Sequence, residues 1–157
     1  LADFKGRWVA LEWVNPECPF VQKHYNSGNM QETQRFAAAR KVVWIQINST
    51  TPAHKDFKSP PQMRDWLVAM KSQPEYSALD ESGGVGRAYA AKTTPQMVLI
   101  DPAGTVVYNG AIDDKRSSNV ADIPGARNHL KAAIEEVASG KPVSVPATTP
   151  YGCTIKY

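Results

Sequence analysis

Three consecutive stretches decide how this chain folds: Trp8-Val-Ala-Leu-Glu-Trp-Val14, then Asn15-Pro-Glu-Cys18, then Pro19-Phe-Val-Gln-Lys-His-Tyr25. The first is a nearly unbroken apolar run rich in aromatic and β-branched residues, the pattern of a strand covered on both faces. Asn15-Pro16 favours a turn, and Pro19 stands where a helix best tolerates proline, so Cys18 falls at or beside a helix N-cap. A thiol acts as a nucleophile only as its thiolate, and the open N–H groups of a helix start favour the anion. The competing interpretation is a cysteine serving as a small buried hydrophobe.

Working outward, helix formers continue from Pro19 to Tyr25, break at Asn26-Ser-Gly-Asn29 and resume over Met30–Arg40. Val42–Asn48 repeats the buried-strand pattern, and Ser49–Ser59 is a polar loop. Met63, Trp66, Leu67 and Met70 share a helical face within Pro60–Lys71. Tyr76–Asp80 is expected to be a short strand and Gly86–Ala91 a short helix. Gln96–Asp101 and Thr105–Ala111, joined by Pro102-Ala-Gly104, form the clearest hairpin. After the charged connection Ile112–Gly125, an amphipathic helix is expected over Ala126–Ala138, with Leu130, Ile134 and Val137 on one stripe and Gly140 as its stop. The order of strands and helices predicts an α/β fold: a central mixed sheet flanked by helices.

The chain has 157 residues, 42% of them apolar, which suits a single domain over 1–157 with residues 141–157 as a proline-containing surface tail carrying Cys153. Eighteen basic and fifteen acidic residues are interspersed, and a net charge of +3 points to no nucleic-acid partner. No apolar run reaches the length needed to span a bilayer, so no membrane insertion is expected. The sequence opens on Leu1, not methionine, which implies residues upstream of it. Gly83-Gly-Val-Gly86 lacks the frame of a nucleotide loop and is expected to be a turn, so no cofactor is implied. His24 and Cys18 alone do not complete a metal shell, so no metal is expected and His24 is assigned to the surface. The tryptophans at 8, 13, 44 and 66 are assigned to core packing.

Trp13-Val-Asn-Pro-Glu-Cys-Pro-Phe-Val-Gln-Lys-His-Tyr25 and Lys92-Thr-Thr-Pro-Gln-Met-Val-Leu-Ile-Asp101 resemble, in order and distance, the two signature segments of the thioredoxin superfamily, in its redoxin or AhpC/TSA-like branch. The resemblance implies a thioredoxin-like fold and a thiol–disulfide oxidoreductase acting on protein or small-molecule thiols and disulfides. In it Cys18 is the attacking sulfur, Pro95 the cis-proline, and Thr94 the residue whose backbone contacts substrate. Pro19 and Phe20 flank the sulfur on the substrate side. Glu12, six residues before Cys18, matches a buried carboxylate that helps to move a proton; burial would raise its pKa toward neutrality.

The departures are equally specific. Val21 replaces the second cysteine of Cys-x-x-Cys, and Glu17 puts a carboxylate beside Cys18, which should oppose a thiolate. Leu11 and Asn15 stand where peroxiredoxins carry proline and a hydroxyl residue, so a thiol peroxidase is the second choice. Cys153, in Tyr151-Gly-Cys-Thr154, is the sole candidate for a resolving thiol. It could equally be one end of a fixed staple to Cys18 in a non-catalytic binding domain; a loop of roughly 135 residues would make that staple worth about 5 kcal/mol. A pair able to form a disulfide favours an extracytoplasmic site over a cytosolic one.

Overall fold

Trp8–Trp13 lies at the centre of the molecule because it has a hydrogen-bonded neighbour on each side and a packed layer on each face. The computed structural model describes residues 2–157. This strand, β1, runs parallel to β2 (Val42–Asn48) in the register Trp8↔Val42 to Trp13↔Ile47. On its other side it runs antiparallel to β5 (Gln96–Ile100), which turns back into β6 (Val106–Gly110). With β3 (Tyr76–Leu79) parallel to β2, the five strands take the order β3-β2-β1-β5-β6. The expected mixed sheet is therefore present, and β5 of the hairpin at Pro102-Ala-Gly104 is antiparallel to both of its neighbours, β1 and β6.

Strand alternation divides the core. Ala10, Val14, Trp44, Met97, Leu99 and Tyr108 point to one face, where they pack against Val21 and Tyr25 of α1 (Pro19–Asn26), Met30 and Ala37 of α2 (Asn29–Ala39), Met63 of α3 (Pro60–Ala69) and Leu130 and Ile134 of α5 (His129–Ala138). Val9, Leu11, Trp13, Val43, Val98 and Ile100 point to the other face. That face is closed more thinly, by Phe4, by Tyr89 and Ala91 just after the short helix α4 (Gly84–Ala88), and by Ile155 near the C-terminus. No helix among the described residues is long and apolar enough to cross a membrane. Leu99 is fully buried at the middle of β5. Leu99→Ala should cost about 2–5 kcal/mol of unfolding free energy, read from the midpoint of a denaturant titration.

Two helix starts differ from expectation by more than one residue, both because a side chain outside the periodic stretch caps them. α4 begins at Gly84 instead of Gly86, since the Asp80 carboxylate accepts from the N–H groups of Val85 (3.1 Å) and Gly86 (2.8 Å). α5 begins at His129 instead of Ala126, where Asn128 Oδ1 accepts from the Lys131 N–H at 2.9 Å. α3 carries a capping box in which Ser59 N–H donates to Gln62 Oε1 at 2.8 Å. Two strands of two residues each, β4 (Thr93–Thr94) and β7 (Cys153–Thr154), pair antiparallel with each other. They are too short to leave a periodic trace in the sequence.

Candidate active site

The end of β1 delivers Cys18 through a hydrogen-bonded turn. Asn15 makes it, its side-chain oxygen accepting from the Glu17 N–H (2.9 Å) and its carbonyl from the Cys18 N–H (3.0 Å). Cys18 is then the N-cap of α1 in extended conformation, with Pro19 at the first helical position. A serine or aspartate at this place would turn its oxygen back to the helix N–H groups. The Cys18 side chain makes no such bond; its Sγ donates to the carbonyl oxygen of Thr94 at 3.1 Å. The carboxylate expected to oppose a thiolate, Glu17, is exposed and paired with Lys58 Nζ at 2.6 Å, so a cation offsets its charge.

The Thr94–Pro95 peptide bond is cis. Thr94 and Cys153 are directly opposed in the β4–β7 pair, which brings the C-terminal segment onto the cis-proline loop and its sulfur up to that of Cys18. Both thiols are free. Burial, and next the adjoining Cys18 sulfur, push the Cys153 thiol up to about 12, so Cys153 holds its proton at neutral pH. Among the described residues the hydroxyl of Thr94 is buried without a hydrogen-bond partner. Cys18 itself is only 1% exposed. Pro19 is exposed, and Phe20 is half-buried with its ring edge-on to Tyr151 at 5.9 Å.

Glu12 shares the β1 face of Ala10 and Val14 and is fully buried. Its carboxylate accepts from Tyr25 Oη at 2.7 Å, Trp44 Nε1 at 2.9 Å and Gln46 Nε2 at 3.4 Å. These donors favour the anion, but burial outweighs them and raises the group from 4.5 to about 7. Trp44 is thus more than packing, and so is Trp13, whose Nε1 donates to Ser49 Oγ at 3.2 Å.

His24 is not at the surface. It is fully buried with Lys23, Asp113 and, nearly so, Tyr151 in a polar cluster that sequence patterns did not reveal. Tyr151 Oη donates to Asp113 Oδ1 and lies 3.4 Å from His24 Nε2; Lys23 Nζ is 3.9 Å from Asp113 Oδ2 and donates to the Lys115 carbonyl at 3.0 Å. Burial first, then the Lys23 charge, lower His24 to about 3, so the imidazole is neutral and its Nδ1 is held by Asn29 Nδ2 at 2.8 Å. A histidine between Lys23 and Tyr25 on a polar helix face reads as solvated; what buries it is chain from positions 113 and 151, remote in sequence.

A sulfur on the N-cap of the first helix, facing a cis-proline loop across a β3-β2-β1-β5-β6 sheet, defines a redoxin of the thioredoxin-like superfamily. Residues 1–109 match the AhpC/TSA family, and the chain belongs to it. That match ends before Cys153, but two crystal structures resemble the chain over practically its whole length. An uncharacterized conserved protein from Geobacillus kaustophilus is 25% identical, covering 100% of this chain and 81% of its own, with a TM-score of 0.82. A hypothetical protein from Sinorhizobium meliloti 1021 is 25% identical over 99% of this chain and 83% of its own, with a TM-score of 0.79. A secreted disulfide oxidoreductase of Mycobacterium tuberculosis, homologous to Escherichia coli DsbE, shares the fold at 20% identity over 67% of this chain and 69% of its own, with a TM-score of 0.51. Among curated proteins nothing matches.

Proposed function

We propose that the chain is a thiol–disulfide oxidoreductase in which Cys18 attacks and Cys153 resolves. The observation that carries this is the meeting of two free thiols, distant in sequence, at a helix N-cap beside the cis-proline loop. The Cys18 thiolate attacks one sulfur of a substrate disulfide, forming a mixed disulfide as the first substrate thiolate leaves. Cys153 then gives up its proton and attacks the Cys18 sulfur; the Cys18–Cys153 bond forms and the second substrate thiol departs. The substrate is reduced by two electrons, the pair is oxidised by two, and an external thiol restores the pair. The high pKa of Cys153 keeps it from competing as the attacking group. Thr94 and Pro95 hold the incoming chain, Pro19 and Phe20 border it, and Glu12, titrating near neutrality, takes and returns a proton behind the site. A chain that cycles through a disulfide suits an extracytoplasmic compartment.

Replacing the resolving group tests the scheme. Cys153→Ser treated with a small aromatic disulfide should accumulate a one-to-one adduct on Cys18, seen as a mass increase, whereas the unchanged chain should pass on to an internal disulfide. Absence of any Cys18 adduct would sink the proposal. Hydrogen peroxide consumption should be marginal, because Asn15 stands where a peroxidase carries its hydroxyl and its amide is tied to Asp56 Oδ2 at 3.3 Å.

A further inference from the structure

The edge of Thr93–Thr94 is already occupied. Cys153 and Thr154 pair with it as an antiparallel strand, and the strand is strung between two anchors. Upstream, Tyr151 is held by Asp113, His24, the Phe20 ring and Lys23 Nζ, which lies 5.7 Å from its ring centre. Downstream, Ile155 N–H donates to the Lys92 carbonyl at 3.0 Å, Thr51 N–H to the Lys156 carbonyl at 2.7 Å, and Tyr157 Oη to the Ala91 carbonyl at 2.7 Å. None of these contacts involves sulfur, so the segment docks without a disulfide. Between the anchors the backbone comes so close to the cis-proline loop that only glycine fits. Gly152 has φ +141°, and a Cβ there would lie 2.0 Å from the Thr94 carbonyl oxygen and 2.7 Å from its carbon.

We infer that residues 151–154 are an internal copy of the substrate, and that the site accepts an extended polypeptide strand whose cysteine is immediately preceded by glycine. The inference rests on the proposed exchange activity and supplies its substrate class. An incoming strand takes the place of the tail on Thr93–Thr94, sets its own cysteine where Cys153 stands, and must bring glycine to the Gly152 position, because backbone atoms, not a movable side chain, bound that space. Tyr151 is then a positioning residue: its release from Asp113 is what frees the edge.

The test uses the full-length Cys153→Ser chain, so that Cys18 is the one thiol, with and without Gly152→Ala. The probes are two peptides, Tyr-Gly-Cys-Thr-Ile and Tyr-Ala-Cys-Thr-Ile, each carrying 2-nitro-5-thiobenzoate in disulfide linkage to its cysteine. Cys18 attacks the peptide sulfur, the peptide–Cys18 bond forms, the nitrothiobenzoate leaves with the bonding pair, and the Cys18 proton goes to buffer; the coloured thiolate reports the rate. Gly152→Ala should push the tail off and speed the glycine peptide roughly tenfold or more, and on that opened chain the glycine peptide should outpace the alanine peptide by roughly tenfold or more. Equal rates for the two peptides, or no gain on opening, would overturn the inference. Should Gly152→Ala lose its cooperative thermal transition, Tyr151→Phe opens the same edge from its upstream anchor and the same two comparisons apply. The strandless disulfide of nitrothiobenzoate with itself separates the two levels. If it labels Cys18 while the peptides do not discriminate, the strand inference alone is lost; if it labels Cys18 in no variant, exchange at Cys18 falls and the strand inference with it.

Discussion

Cys18→Ser should lose disulfide-reducing activity by on the order of 10³-fold or more, to the level of the uncatalysed reaction. Serine is a fair replacement structurally. It keeps a donor for the Thr94 carbonyl, which now accepts from Sγ at 3.1 Å, and it suits an N-cap better than cysteine does. The fold should therefore survive, and a thermal melt of the variant checks this. What serine lacks is a sulfur able to carry the thiolate and share a disulfide. Cys153 cannot take over. Burial is the largest cause of its high pKa and persists in the variant, so its thiolate remains scarce at neutral pH. The measurement is the initial rate of reduction of a small aromatic disulfide by the external thiol, with the variant at the wild-type concentration. A variant that kept activity within a factor of ten would mean that the working sulfur is Cys153, and the assignment of roles would be reversed.

The division between legible and illegible features follows the length over which each pattern repeats. β1, β2 and the β5–β6 hairpin were visible because continuous apolar runs bounded by proline and glycine have few other uses, and Cys18 was placed at a helix start by the two prolines around it. Helix ends shifted by two or three residues wherever Asp80 or Asn128 supplied the cap, since a capping side chain interrupts no periodicity. The β4–β7 pair left no trace: two residues show no alternation, and the partners Thr94 and Cys153 are remote from each other in sequence. The cluster of Lys23, His24, Asp113 and Tyr151 was hidden for the same reason. Its members are polar residues from three separate segments, Lys23 and His24 sharing α1, and only the packing of the C-terminal segment on α1 buries them together. Tyr151-Gly-Cys153 did carry a signal in sequence, a glycine beside the second cysteine. In the structure the same glycine is needed for close backbone approach.

This docking also bears on whether the two cysteines form a staple. In the chain-entropy account a permanent bridge stabilises by restricting the unfolded chain, and it is not required for docking where other contacts hold the folded segments. Here Tyr151, Ile155 and Tyr157 each make a hydrogen bond to the body of the protein, and Tyr151 and Ile155 are buried. With the segment already fixed on both sides of Cys153, the folded chain keeps it in place whether or not the two sulfurs are bonded.

Glu12→Gln should make the protein's stability less sensitive to alkali. Folding raises this carboxyl from 4.5 to about 7, so between those values the folded chain holds a proton that the unfolded chain has released. The associated stability is complete below about pH 4.5, declines as pH rises, and is gone above about pH 7; at 1.36 kcal/mol per unit the loss is about 3 kcal/mol. His24 acts in the opposite sense. Its folded value near 3 lies below the ordinary 6.5, so it contributes stability that is present above pH 6.5 and lost as pH falls toward 3. From 4.5 to 6.5 the two slopes oppose each other and the wild-type curve should be nearly flat in their combined contribution, which hides both. Subtracting the wild-type curve from that of Glu12→Gln isolates the carboxyl. Glutamine can still accept from Trp44 Nε1 and can donate to Tyr25 Oη, whose hydroxyl has Ser72 Oγ at 3.3 Å as an alternative partner, so the network has a way to close around it. Relative to wild type, the variant should gain about 3 kcal/mol between pH 5 and pH 8, or roughly 6–12 °C in unfolding temperature for a chain of this size. A difference that stays constant across that range would show that Glu12 titrates like an ordinary surface carboxylate, and it would then have no proton to exchange with the sulfurs near neutral pH.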